Sequence, residues 1–235
     1  MKILITRPEP DATATAGRLV ELGYECLSLP ATEIVATGNS LPEGAFTAVL
    51  ATSANAFRMM VKPDIARLKS AALHCVGAKT AGIAHDLGFS SAHVAGGSGA
   101  KLVSDLMAAY SNEAHFLYLT GTPRKPIVED ELRQAGYRVT SVELYKAQAV
   151  SIWPGEKIDD LATVDTALHF SRASVETLID LAERSGTLST LTKLRHLCLS
   201  EDVASPLRAI HCPSVTRAME ANEKSLFDLI ARALP

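Results

Sequence analysis

The chain repeats itself, and this constrains its fold more than any other feature. The segment Ala48-Val-Leu-Ala-Thr-Ser53-Ala-Asn-Ala-Phe57 returns as Ala167-Leu-His-Phe-Ser171-Arg-Ala-Ser-Val175, which sets Ser171 on Ser53, 118 positions later (171 minus 53). Cys75-Val-Gly-Ala-Lys-Thr80-Ala81 returns as Cys198-Leu-Ser-Glu-Asp-Val-Ala204, and Lys101-Leu-Val-Ser-Asp-Leu106 as Lys224-Ser-Leu-Phe-Asp-Leu229; both shifts are 123 (198 minus 75, 224 minus 101). The opening, Ile3-Leu-Ile-Thr6 through Leu22-Gly23-Tyr24, is echoed by Leu117-Tyr-Leu-Thr120 through Ala135-Gly136-Tyr137. Self-similarity on this scale marks two related structural units, which are expected to leave a cleft between them.

Short apolar runs alternate with amphipathic stretches, the pattern of a parallel α/β sheet. Strands are expected at residues 2–6, 25–29, 48–52, 73–76 and 94, with helices at 10–22, 55–60, 78–88 and 100–110. A second strand-helix-strand opening is expected over 116–119, 127–134 and 139–144, followed by 166–170, 174–184, 196–199, 203–209 and 225–233. Two stretches stand apart as connectors, Pro30 to Pro42 and Tyr145 to Ile152, the latter followed by a break at Trp153-Pro-Gly-Glu-Lys157. The blocks therefore run opening, long, opening, long. A plain tandem and an insertion of one unit into the other both satisfy this order, and periodicity leaves both open.

A length of 235 residues suffices for one large or two medium domains. With 47% hydrophobic and 21% charged residues the composition is that of a globular protein, and a net charge of −3 supplies no bulk basic field for nucleic acid. Met1-Lys-Ile-Leu-Ile-Thr-Arg7 has too short an apolar run for a signal peptide, and no run approaches the ~20 apolar residues of a membrane span. Cys26, Cys75, Cys198 and Cys212 are scattered through strand-like contexts and read as buried thiols in a reducing cytoplasm.

Small polar residues follow the apolar strands in both units: Thr6-Arg7-Pro8, Thr52-Ser53, Gly77-Ala-Lys-Thr80, Thr120-Gly121-Thr122, Ser171-Arg172 and Ser200. In open α/β sheets ligands bind at the carboxyl ends of strands, where free N–H groups at helix N-termini attract anions. The same residues also serve as ordinary N-caps and turns.

Gly77-Ala-Lys-Thr80 is not a phosphate-binding loop, because Ala78 replaces the glycine before the lysine and Leu73 stands where the first glycine belongs. Gly96-Gly-Ser-Gly99 lacks dinucleotide-fingerprint spacing and reads as a flexible turn. The histidines and cysteines show no metal-ligand spacing, His74, His169 and His196 read as satisfied core histidines, and Ser53 and Ser171 lack the nucleophile-elbow pattern. Tyr145 follows a strand where the chain enters the second connector, so its phenol is placed either to donate a proton in the cleft or to pack at a hinge.

Taken in order, Ile5-Thr6-Arg7-Pro8, Leu22-Gly23-Tyr24, the Thr52-Ser53-Ala-Asn-Ala turn, Val76-Gly77-Ala-Lys-Thr80-Ala81, Thr120-Gly121 ahead of Leu132 to Gly136, Tyr145, Phe170-Ser171 and Leu199-Ser200 before Ala204 resemble the uroporphyrinogen-III synthase family over nearly the whole chain. Two positions depart. Lys125 stands where the family has an arginine, with Arg124 beside it, and Arg172 stands where a proline is frequent.

The resemblance implies two related parallel-sheet α/β domains joined by a two-stranded connector, with residues 36–150 inserted into a domain built from 1–35 and 151–235. It implies cyclisation of hydroxymethylbilane to uroporphyrinogen III with loss of water and inversion of the last pyrrole ring, without metal or organic cofactor. Tyr145 would assist departure of the hydroxyl, while Arg7, Ser53, Thr80, Gly121, Lys125, Ser171 and Ser200 would line the cleft or bind substrate carboxylates. The expected partner is the linear tetrapyrrole alone, met by a cytoplasmic monomer without nucleic acid or membrane. The competing reading is a two-domain binding module or sensor that closes on a small anion without chemistry.

Overall fold

The computed structural model of the chain describes residues 1–232. The first block folds as β1 (Lys2–Ile5), α1 (Asp11–Glu21) and β2 (Glu25–Ser28), and β3 (Thr32–Ala36) forms within the first connector. The long block contains β4 (Ala48–Ala51), α2 (Ala54–Arg58), α3 (Lys62–Leu68), β5 (Leu73–Cys75), α4 (Ala78–Asp86), β6 (Ala92–Val94) and α5 (Gly99–Ala109). The second opening is β7 (His115–Thr122), α6 (Ile127–Gln134) and β8 (Arg138–Ala149). The last block contains α7 (Gly155–Asp160), a 3-10 turn (Leu161–Thr163), β9 (Thr166–His169), α8 (Arg172–Arg184), α9 (Leu188–Leu191), β10 (Arg195–Cys198), α10 (Glu201–Ala209), β11 (Val215–Arg217) and α11 (Glu223–Arg232). The expected helix end at Ala233 lies outside the described residues.

Three local departures from the sequence reading have simple causes. The helix expected over 55–60 stops at Arg58 and restarts as α3, because Pro63 lacks the N–H that a continuous helix needs and is tolerated only in a first turn. The expected break at 153–157 is short. Pro154 caps α7, and Trp153 is buried, donating its indole N–H to the Pro30 carbonyl at 3.2 Å. The strand expected to end at Leu144 continues to Ala149 as β8, which pairs with β3, so both connectors run as strands.

The repeated Leu22-Gly23-Tyr24 and Ala135-Gly136-Tyr137 perform one task twice. Gly23 (φ 86°) and Gly136 (φ 89°) adopt the left-handed conformation that ends a helix without a Cβ penalty. In each case the following tyrosine N–H returns to a carbonyl five residues back, Tyr24 to Leu19 and Tyr137 to Leu132.

The chain divides into two compact units, Met1–Glu33 together with the chain from Gln148 onward (unit 1), and Ile34–Ala147 (unit 2). The sheet of unit 1 has the order β11-β10-β9-β1-β2, and the other sheet β3-β8-β7-β4-β5-β6; the pairings β1–β2, β1–β9, β9–β10, β10–β11, β4–β5, β4–β7, β5–β6 and β7–β8 are parallel. Set β7 on β1, β8 on β2, β4 on β9, β5 on β10 and β6 on β11, and the two orders coincide, apart from β3. Unit 2 is thus a circular permutant of unit 1, with its long block preceding its opening block.

Both sheets are covered on two faces, which is why their strands read as unbroken apolar runs. In unit 1, Ile3 and Ile5 face a core with Leu19, Leu168 and Ile230, while Leu4 faces one with Leu29, Trp153 and Leu178. In unit 2, Val49 and Ala51 pack with Phe57 and Leu119, while Ala48 and Leu50 pack with Leu102, Leu106 and Phe116. Among the described residues no helix is long and apolar enough to cross a membrane.

Candidate active site

In each sheet the strand order reverses direction at one place. In unit 1 this is between β1 and β9, and in unit 2 between β7 and β4. Loops leaving the carboxyl ends of the two strands diverge there and open a crevice, the usual ligand position in this architecture. Arg7 and Ser171 follow the two central strands of unit 1 and Ser53 follows β4 of unit 2, whereas Gly121, expected in a loop after Leu119, lies within β7, which runs on to Thr122. Ser200 follows the neighbouring β10 and Thr80 the neighbouring β5, while Tyr145 lies on β8 beside Gly121. The sequence-derived residues therefore lie at the carboxyl edges of adjacent strands within their own units, whereas Lys125 is exposed on the β7–α6 loop.

Ser53, Ser171 and Ser200 are all N-caps. Their Oγ atoms accept from the backbone N–H of Asn55, Ser174 and Val203 at 3.2, 3.2 and 3.4 Å. Ser171 also donates to Ser174 Oγ at 2.9 Å, and Ser174 lies 3.3 Å from Thr32 Oγ1, so its hydroxyl is tied into the unit. No acidic residue occupies the first turn of α2, α4 or α8, which leaves the dipole ends behind Ser53, Gly77–Thr80 and Ser171 electropositive. Ser200 differs, because Glu201 and Asp202 fill the first turn of α10. Those acids pair with Arg208 and Arg217 and with Arg172 respectively. Thr80 is buried on the first turn of α4.

Arg7 is a structural ion-pair partner. Its guanidinium meets Asp11 at 3.0 Å and Glu223 at 3.3 Å, and lies over the Phe170 ring at 4.1 Å from the centroid. Burial lowers its pKa, opposed by the charges of Asp11 and Glu223.

Tyr145 has a defined seat. A Cβ on Gly121 would lie 2.6 Å from Tyr145 Cδ2 and closer still to Cε2 and Cζ, so the ring occupies space that only glycine leaves open. The ring packs against the core formed by Val49, Leu119 and Val142, and its hydroxyl makes no hydrogen bond among the described residues. A partially exposed phenol with an unengaged O–H is suited to donate to a ligand.

Sequence reasoning named Arg124 and Thr52 but gave no role to the groups around this seat. Arg124 contacts Glu129 and Glu143. Tyr118 Oη lies 3.0 Å from Thr52 Oγ1 across the unit 2 switch point, and burial pushes its pKa up. Glu129 would have been found only by a rule that lets an acid on the apolar face of α6, beside Val128 and Leu132, be buried.

His74, His169 and His196 are core residues, though not all satisfied. His169 Nε2 lies 2.9 Å from His196 Nδ1, and His196 Nε2 lies 3.0 Å from the Leu191 carbonyl, but His169 Nδ1 has no partner. His74 Nε2 meets Tyr110 Oη at 2.9 Å, and its Nδ1 is unpartnered. All four cysteines are free. Cys75 and Cys198, equivalent in the repeat, are buried with thiols pushed up to about 12, whereas Cys26 is only half-buried. Among the described residues no three His, Cys, Asp or Glu side chains form a cluster able to hold a metal ion.

The family model of uroporphyrinogen-III synthase HemD matches residues 13–228. The crystal structure of uroporphyrinogen-III synthetase from Helicobacter pylori is similar, with a TM-score of 0.69 at 14% identity over 99% of each chain. A mutant uroporphyrinogen III synthase from the extremely thermophilic bacterium Thermus thermophilus aligns with a TM-score of 0.55 at 18% identity, over 99% of this chain and 98% of that one. At such identities the structural likeness speaks for the fold. No curated protein matches the chain by sequence.

Proposed function

The chain belongs to the uroporphyrinogen-III synthase family, and from that premise we propose how its residues share the work of the reaction. It is a cyclising lyase of tetrapyrrole and haem biosynthesis that converts hydroxymethylbilane to uroporphyrinogen III, with loss of water and inversion of the last pyrrole ring. The observation that carries this reading is the family match, which runs through both units.

The substrate has eight carboxylates and closes without enzyme, head to tail, to the uninverted isomer. The enzyme's task is to hold the chain so that the substituted carbon of the last ring attacks the azafulvene formed when the hydroxyl leaves. Positioning and electrostatic shelter accomplish this without a catalytic triad. The acid-free N-termini behind Ser53, Gly77–Thr80 and Ser171 receive carboxylates through backbone N–H groups, with Lys125 as an added cation. Ser200 lies beside two acids and takes a lesser share. Arg7 shapes the unit 1 crevice through its ion pairs, and Gly121 gives Tyr145 its seat. The Tyr145 phenol hydrogen-bonds the leaving hydroxyl and passes it a proton, so that it departs as water, and the phenolate takes back the proton that the ring loses on closure.

The two compact units serve as the two domains of a monomer that takes one linear tetrapyrrole and no nucleic acid. Four free thiols suit a reducing cytoplasm. The test is direct: incubate the protein with freshly prepared hydroxymethylbilane, oxidise, and separate the isomers. Isomer III should predominate, and isomer I alone would overturn the assignment. Tyr145→Phe should slow formation of isomer III about tenfold while leaving folding intact, less than the ~10²–10⁴-fold typical of a positioned proton donor because the hydroxyl also leaves unaided.

A further inference from the structure

Arg124 is committed on every side within unit 2. Its Nε and Nη2 lie 2.8 and 2.7 Å from Glu129 Oε1, and its Nη1 lies 2.6 Å from Glu143 Oε1 and 3.3 Å from the Gly121 carbonyl. These partners stand on three elements, α6, β8 and β7. Burial works against the Arg124 charge, but the hydrogen bonds to Glu143 and Glu129 outweigh it and hold its pKa above the ordinary value. The Glu129 side chain is 3% exposed and its Oε2 has no partner, so this buried carboxylate depends on Arg124.

The clamp sits on an irregularity in the sheet. Thr120 pairs with Glu143, but the next residue, Gly121, pairs with Tyr145, so β8 carries one extra residue here. A bulge of this kind bends its strand and re-aims the side chains beside it. Arg124 bonds the β7 side through the Gly121 carbonyl and the β8 side through Glu143, two residues before Tyr145.

We propose that Arg124 is a positioning residue: by locking the β7–β8 bulge it fixes the Tyr145 ring against Gly121 and aims the phenol at the reacting end of the substrate. This rests on the reading of Tyr145 as the hydrogen-bond donor to the leaving hydroxyl. Arg124 is not itself a carboxylate receptor, since two carboxylates already share its single charge and a third would meet net repulsion.

The test is a pair of double-mutant cycles on the full chain, scored by kcat and KM for isomer III and by the III-to-I ratio. Glu143→Ala removes the half-exposed arm without stranding a buried charge, and Arg124→Gln/Glu129→Gln removes the buried ion pair as a neutral unit together with the bond to Glu143, whose half-exposed carboxylate is left to water. Glu143→Ala should lower kcat about threefold and the combined variant about tenfold, with KM unchanged and isomer I rising. In the Tyr145→Phe background neither change should lower kcat further. Losses that multiply in that background, unaltered kcat in Glu143→Ala, or a raised KM at full kcat would each overturn the proposal. Full activity of Tyr145→Phe alone would instead remove its premise. Should the combined variant not fold, the Glu143→Ala cycle decides the question alone.

Discussion

The guanidinium of Arg7 lies 4.1 Å from the centroid of the Phe170 ring, bridging the loops that leave β1 and β9 at the switch point of unit 1. Because Asp11 and Glu223 hold the same group from α1 and α11, Arg7 joins four segments. Arg7→Met should therefore destabilise the protein by about 2 kcal/mol, seen as a lower urea midpoint. An unchanged midpoint with a raised KM would instead make Arg7 a direct carboxylate contact.

The His169–His196 pair predicts acid sensitivity. Burial lowers both pKa values, that of His196 from 6.5 to about 4. The unfolded chain thus binds protons that the folded chain refuses, so stability is full above pH 6.5 and falls as the pH drops from 6.5 toward 4. For His196 the loss is on the order of 3 kcal/mol. Urea midpoints recorded from about pH 7.5 to 4.5 should decline, and the decline should shrink in His169→Leu/His196→Leu.

Ser53 and Ser171 cap equivalent helices but differ in what else they hold. Ser53→Ala should cost about 1 kcal/mol, as a lost N-cap does. Ser171→Ala should cost more, about 1.5–2 kcal/mol, because it also loses the bond to Ser174. Equal losses by chemical denaturation would mean that the Ser171–Ser174–Thr32 chain adds nothing.

Gly121→Ala should expel the Tyr145 ring from its seat. Overpacking predicts a loss of about 1–3 kcal/mol, and formation of isomer III should fall about as far as in Tyr145→Phe. Adding Tyr145→Ala should restore stability without restoring activity. Wild-type kinetics in Gly121→Ala would show that the ring's position is unimportant.

Much of this architecture is visible in the residues themselves. Leu22-Gly23-Tyr24 and its echo mark two helix stops because a left-handed turn needs glycine. The buried strands announce themselves as apolar runs, and the serines after them announce caps at the carboxyl edge. The Arg124 clamp left no such trace. Glu129 lies five residues on and Glu143 nineteen, neither at a helical spacing from Arg124, and a buried glutamate runs against its ordinary preference for water. The seat of Tyr145 is equally hidden, because Gly121 is required by a ring 24 positions away (145 minus 121) that a register shift brings opposite it.

The sequence alone determined that the chain would build parallel α/β structure twice, since local periodicity, turn glycines and caps depend only on near neighbours in the chain. Which blocks would join was decided by tertiary structure. Either opening block could have paired with either long block as far as periodicity goes; the pairing of Ile3 with Thr166 and of Val49 with Leu117 selects the interlocked arrangement. Strand partners are chosen by long-range hydrogen bonding and by burial of both sheet faces, neither of which is written in any one segment. The same holds for the site, whose loops are local in sequence but become a site only where the strand order reverses.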